Sequence, residues 1–395
     1  MPAVKVGPLA SYSKNRVPDM NTSWTRRDFL SLSGSALLSS VLAPLPGVAA
    51  DAADKPGGSE ELYRKAFVLD CNSMASIGGF SESDASEIKQ ILHSAGVSAV
   101  KSTLGGSSAD FEGAVADIAA AQGLMERHPE MFIKVSGIED LDRAKRERKL
   151  AVIFSFEAAS MLEDKLERIE LFRNFGVRVM QLSYNHKSPF GCGCLDGDTD
   201  GVTNLGKQAI ARMNTLGVAL DLSHANTQTT ADGIALSTRP PLITHAGCRS
   251  VYAHPRNKED REMKALADKG GVMGIYMLPF LTEDSRQPML EDYMQHMLHA
   301  LKVCGEDHVG IGSDVPFFTV TASDLEDMKK DEAERQAKGV AAPGEGRPPY
   351  IPDLNTPRKL EKVADALVRK GYGGHVVDKV LGLNFRRAFK EIWAV

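Results

Sequence analysis

The sequence predicts an α/β protein built as a (β/α)₈ TIM barrel, and three observations predict it. From about residue 60 onward, short and nearly continuous apolar runs alternate with helical patterns, the signature of parallel strands covered on their faces. Eight such repeats fit one closed barrel of about 250 residues better than an open sheet. Several of the apolar runs also stop on a residue able to bind metal or move a proton: Glu157, His224, His245 and Asp314. No glycine-rich phosphate loop of the GxGxxG or GxxxxGK type follows any run, which argues against a nucleotide fold.

Taken in chain order, the first element is not part of the barrel. Thr25-Arg26-Arg27-Asp28-Phe29-Leu30 precedes a mildly apolar stretch and the small residues Val48-Ala49-Ala50, a pattern that reads as a twin-arginine export signal. Residues 1–53 are therefore assigned to a signal peptide and linker, and 54–395 to a single barrel domain. The apolar stretch is too short for a membrane span. The whole chain carries 47 Lys and Arg against 52 Asp and Glu, a net charge of −5. Residues 1–50 hold five Lys or Arg and two Asp or Glu, so their removal leaves 42 against 50, a net −8. An acidic chain with scattered cations offers no nucleic-acid surface. The expected location is the periplasm or the medium, with no integral span in the mature protein.

The candidate strands fall at 66–69, 99–102, 151–156, 177–182, 218–222, 242–244, 272–276 and 309–311. Helical patterns lie between them at 110–127, 166–175, 204–216 and 258–269. The segment 322–357 breaks the alternation: it is charged and helical at first, then rich in Gly and Pro. Coming after the last strand, it reads as a lid or insertion over the barrel mouth, a dimer contact, or a solvated excursion. Helical patterns at 360–370 and 376–393 close the chain. Of the five cysteines, Cys192 and Cys194 lie one residue apart. An odd count excludes a closed disulfide framework, and a bridge across so tight a ring would be strained. Two free thiols are the default there.

In a barrel of this kind the reactive groups collect at the carboxyl ends of the strands. His224 and His245 each end consecutive apolar runs, and Glu157 ends an earlier one. Two imidazoles and a carboxylate around one point form a three-ligand zinc site with an open position for water. A lone strand-end histidine is more often a satisfied polar residue; three candidate ligands and the extra carboxylate of Asp314 favour metal.

"GVALDLSH", "ITHAGCRSVYAHPRN", "KGGVMGIYMLPFL", "DHVGIGSD", "MQLSYNHKSPFGCGC" and "GLNFRRAFKEIW" together resemble the membrane (renal) dipeptidase family of zinc metallopeptidases, in its bacterial exported branch. The resemblance runs over nearly all of residues 60–394. It implies a barrel of the metallo-dependent hydrolase type, a homodimer, and two bridged zinc ions that hydrolyse dipeptides. It further implies that Glu157 bridges the metals and that His224 and His245 hold the second of them. Arg256 would grip the substrate carboxylate through its planar fork, its alternative being a surface ion pair. Asp314 would handle the proton and the substrate amine. Tyr184 stands where mammalian members carry a substrate-site histidine, and His186 either compensates or faces solvent.

One departure matters more than these matches. The family's first strand ends in a His-x-Asp pair that completes the first zinc site, whereas here Asn72 and Met74 occupy those positions. Neither is a good zinc ligand, unless Asp70 or Cys71 contributes through a shifted register. One zinc is therefore expected rather than two, with Asn72 counted among the substrate-side residues. The function this predicts is zinc-dependent hydrolysis of a dipeptide or short modified peptide amide. Two rivals are a maturation or tailoring protein for a peptidic metabolite that lacks plain dipeptidase activity, and a catalytically dead binding protein.

Overall fold

A computed structural model describes residues 58–73, 85–107, 109–283 and 285–395. The predicted export signal and Met74 lie outside the described residues. Among the described residues, nine strands occur in chain order: β1 (Leu69–Asp70), β2 (Ala99–Thr103), β3 (Phe132–Lys134), β4 (Leu150–Phe156), β5 (Val177–Gln181), β6 (Ala219–Asp221), β7 (Leu242–Ala246), β8 (Val272–Ile275) and β9 (Val309–Ile311). Eight of them form one parallel path, β1-β2-β4-β5-β6-β7-β8-β9. The ends of that path meet: Cys71 N donates to Ile311 O at 2.8 Å, and Asp314 N to Asn72 O at 2.7 Å. The result is the barrel that the alternation predicts.

β3 is absent from the predicted strands. Its three residues pair only with the first half of β4, on the edge that β5 takes over from Phe154 onward. So short a run carries no apolar periodicity of its own. β1 is also shorter than its predicted 66–69 and starts later, because Ala66 to Val68 connect to it from the helix Gly58–Lys65 without joining the ladder as a strand. The helix predicted at 376–393 divides into Gly374–Asp378, a wide turn at Lys379–Leu383 and Asn384–Trp393. The remaining predicted elements lie within about two residues of those observed.

Alternation along each strand sorts the side chains. On β4, Val152, Phe154 and Phe156 face the helices, while Ala151 and Ile153 join a second cluster inside the barrel. Period two carries that inner row onward to Ser155 and Glu157. On β2 the inner row is Ala99, Lys101 and Thr103. The bottom of the barrel is plugged by Phe385, Ala388, Phe389 and Ile392 of the last helix. Gly310 on β9 makes room for that plug, since a Cβ there would stand 2.5 Å from the Phe385 ring. With the bottom filled by apolar groups, the polar residues are left to the mouth. All five cysteines are free and buried. None of the described helices is long and apolar enough to cross a membrane.

Candidate metal centre

Glu157, His224 and His245 converge at the mouth, each offering a ligand atom within 4.8 Å of the others. The two Nε2 atoms are 3.1 Å apart. Glu157 Oε2 is 3.8 Å from His224 Nε2, and its Oε1 is 3.9 Å from His245 Nε2. What stands behind the imidazoles fixes their tautomers. His224 Nδ1 donates to Asn185 Oδ1 at 2.7 Å. His245 Nδ1 meets Thr244 Oγ1 at 2.9 Å, and that hydroxyl donates its own proton to Asp221 Oδ2 at 2.7 Å, so the imidazole must be the donor. Both rings therefore turn an Nε2 lone pair inward, toward each other and toward a carboxylate. Such an arrangement asks for a cation, and outer partners of this type are what orient metal-binding histidines. Burial, with Arg256 next, holds both histidines well below the ordinary imidazole range. They are neutral at neutral pH, as ligands must be. The donor set thus fits a zinc ion.

The other predicted residues gather around this point. Asn72 Nδ2 donates to Glu157 Oε1 at 2.9 Å and to Asp314 Oδ1 at 2.7 Å, which makes it a donor bridging two carboxylates. Asp70 is buried, and Ser313 donates to it through both N and Oγ. Neither Asp70 nor Cys71 joins the ligand cluster among the described residues. Asp314 sits in the left-handed region at φ 59°, a conformation that non-glycine residues keep where the surroundings over-determine it. Burial, and then the Glu157 carboxylate, push its carboxyl up to about 7, against the pull of Arg256 and Lys101. A group with that pKa both takes up and releases protons near neutrality.

Arg256 is buried, so it is not a surface ion pair. Its Nη1 donates to Ser223 O, and Nη2 lies 3.2 Å from His224 Nε2. Tyr184 stacks on His224 with ring centroids 4.1 Å apart. His186 does not compensate for the missing histidine: it is 47% exposed and bonds Gly339 O at 2.8 Å. A cavity of about 780 Å³ opens over these groups, with Asn72, Glu157, Tyr184, His224, Arg256 and Asp314 in its floor. The segment predicted as a lid or insertion forms its outer wall. The helix Ala322–Ala337 contributes Leu325, Met328 and Arg335. Arg335 is paired twice with Glu345 at 2.9 Å and lies 5.5 Å over the Tyr184 ring.

Sequence reasoning missed the supporting residues Asn185, Thr244, Asp221, Thr103 and Lys101. It also left Cys192-Gly193-Cys194 open. That turn packs directly behind His224: Cys194 N donates to His224 O at 2.8 Å, and Cys194 Sγ to Asn185 Oδ1 at 3.3 Å. A Cβ on Gly193 would lie 2.2 Å from Tyr184 O, which explains why glycine separates the two cysteines. The signal available in the sequence was a lysine inside an apolar strand and small hydroxyl residues beside the ligands.

A closed parallel barrel with two histidines, a glutamate and an aspartate at its mouth is an architecture suited to a metal-dependent hydrolase. The description "Membrane dipeptidase (Peptidase family M19)" fits residues 78–333, and the chain belongs to that family. It is 23% identical over 278 residues to dipeptidase tcpJ of Claviceps purpurea, covering 69% of this chain and 58% of that protein. It is 27% identical over 264 residues to a Klebsiella pneumoniae protein encoded in the pqqA 5′ region, covering 64% and 86% of the two chains. Among solved structures, an amidohydrolase from Pseudomonas aeruginosa superposes with a TM-score of 0.74 at 27% identity, over 85% of this chain and 99% of that one. A Rhodobacter sphaeroides metallopeptidase bound to a phosphinate mimic of L-Ala-D-Ala shares the fold, with a TM-score of 0.67 at 20% identity over 83% and 99% of the two chains.

Proposed function

We propose that the protein is an exported, zinc-dependent hydrolase of dipeptides or short modified peptide amides, working with one zinc ion per chain. The observation that carries this reading is the pair of inward Nε2 lone pairs, 3.1 Å apart, facing Glu157 in a cavity that also holds Asp314 and Arg256. When bound, zinc supplies Lewis acidity toward a carbonyl and an acidified water. His224, His245 and Glu157 would hold it. Asp314, poised near neutrality, carries the proton to the leaving amine. Arg256 Nη2, 3.2 Å from His224 Nε2, is placed beside that ligand to grip the substrate's carboxylate. The apolar wall made by Leu278, Phe318, Leu325 and Met328 admits a substituent larger than a plain dipeptide side chain, and favours modified peptides.

The Asn72 amide in place of a ligand supports one ion rather than two. Intact Glu157, His224, His245, Arg256 and Asp314 weigh against a dead binding protein. The twin-arginine pattern at Arg26-Arg27 supports export to the periplasm, and the family resemblance supports a homodimer, which sedimentation would check. His245→Ala tests the central reading: zinc binding and peptide hydrolysis are expected to vanish together, and hydrolysis retained by the metal-free variant would overturn it.

A further inference from the structure

Lys101 is a fully buried lysine on the inner face of β2. Its Nζ reaches Ser155 Oγ at 3.2 Å, a hydroxyl whose own proton goes to Ser102 O at 3.0 Å. Glu157 Oε1 lies 3.8 Å from it. An ammonium taken out of water with so loose a pairing is expensive to keep, and the surrounding apolar barrel gains nothing from it. Its placement is specific. β2 lies between β1 and β4 in the sheet, so Lys101 rises between the strands that end in Asn72 and Glu157. On that side Glu157 Oε1 also accepts Asn72 Nδ2 at 2.9 Å and Thr103 Oγ1 at 2.8 Å. An amide and a hydroxyl therefore bond Oε1, with the ammonium 3.8 Å away; Oε1 also faces His245 at 3.9 Å, and Oε2 faces His224 at 3.8 Å.

We propose that Lys101 is a fixed cation of the hydrolytic site: it tempers the hold of Glu157 on the metal ion and supplies, from the protein, a second positive charge beneath that carboxylate. This deepens the proposed function and rests on it. Lys101 acts through Glu157 and the local field, so it is a positioning residue. A preorganised charge in a water-poor site stabilises developing negative charge without reorganisation. It also repels a metal cation held by the same carboxylate.

Zinc titration of the metal-stripped full chain against Lys101→Gln tests this, with Lys101→Met as the variant that keeps length without polarity. Wild type is expected to saturate at one zinc per chain. The neutral variants should also take one, but bind it roughly tenfold more tightly because the repelling charge is gone. On a dipeptide that wild type hydrolyses, they should lose roughly tenfold or more in kcat with KM nearly unchanged. A structural prop for Glu157 would move affinity the other way. Weaker or unchanged zinc binding in the variants would overturn the proposal. If zinc-loaded wild type hydrolyses no peptide, the proposed function fails, while the direction of the affinity change still decides the role of Lys101.

Discussion

Replacing Thr244 with valine removes one hydroxyl and leaves the shape of the side chain. That hydroxyl stands between His245 Nδ1 at 2.9 Å and Asp221 Oδ2 at 2.7 Å, and all three residues are buried. No water can take its place, because the new methyl fills the volume. His245 then has two choices. It keeps the proton on Nδ1, unpartnered, at about 1–3 kcal/mol for a buried donor. Alternatively it moves the proton to Nε2, which aims a donor where the metal must bind. Zinc binding has to restore the first state, so its affinity should fall by about 10–100-fold, or about 1.4–2.8 kcal/mol. Asp221 stays in place through Ser223 N at 3.0 Å and Thr244 N at 3.1 Å, yet it loses a charge-assisted bond. Fold stability should therefore drop by about 2–3 kcal/mol. Competition with a chelator of known affinity measures the first effect, and thermal unfolding of the metal-free protein the second. Thr244→Ser should recover most of both. Zinc affinity within twofold of wild type in Thr244→Val would refute the claim that this relay sets the histidine's tautomer.

Three further outcomes follow from the same geometry. Gly193→Ala forces a Cβ to within 2.2 Å of Tyr184 O. It should cost about 3 kcal/mol or more in thermal unfolding and weaken zinc binding through Asn185 and His224. Asp314→Asn should retain zinc while kcat falls by about 10²–10⁴-fold, the usual weight of a positioned acid–base group; normal turnover would remove Asp314 from the proton path. The third concerns pH. Two ligand histidines with ordinary pKa values would cost about 100-fold in zinc affinity at pH 5.5 through proton competition. Here both are held well below that range, so competition begins only at lower pH. Chelator-competition titrations should show less than about tenfold loss between pH 7.5 and 5.5.

Much of this site was legible because barrel chemistry concentrates where apolar runs stop. Glu157, His224, His245 and Asp314 could be read one strand at a time; the structure clusters the first three and ties Asp314 to Glu157 through Asn72. β3 was not legible, since three residues against half of β4 leave no period to detect. Nor were the residues that aim the ligands. Asn185 lies in a polar loop beyond β5, and its reach to His224 depends on the Cys192–Cys194 turn pressing from behind. Lys101 sat in plain view inside "SAVKST". Only the register of β2 against β4, with Lys101 beside Ile153, turns it inward beneath Glu157. For His186 the sequence left two readings open, compensation or solvent, and the chain turns it to Gly339 at the surface.

The most direct measurement is peptide hydrolysis by the full chain before chelator treatment, after it, and after zinc is returned in measured amounts. A panel of dipeptides and N-modified dipeptides would be followed by amine release, with zinc per chain determined on each sample. Activity that disappears with the metal and returns in full at one zinc per chain is the predicted result. Hydrolysis indifferent to metal removal, or a fully loaded protein that releases no amine from any of these substrates, would contradict it.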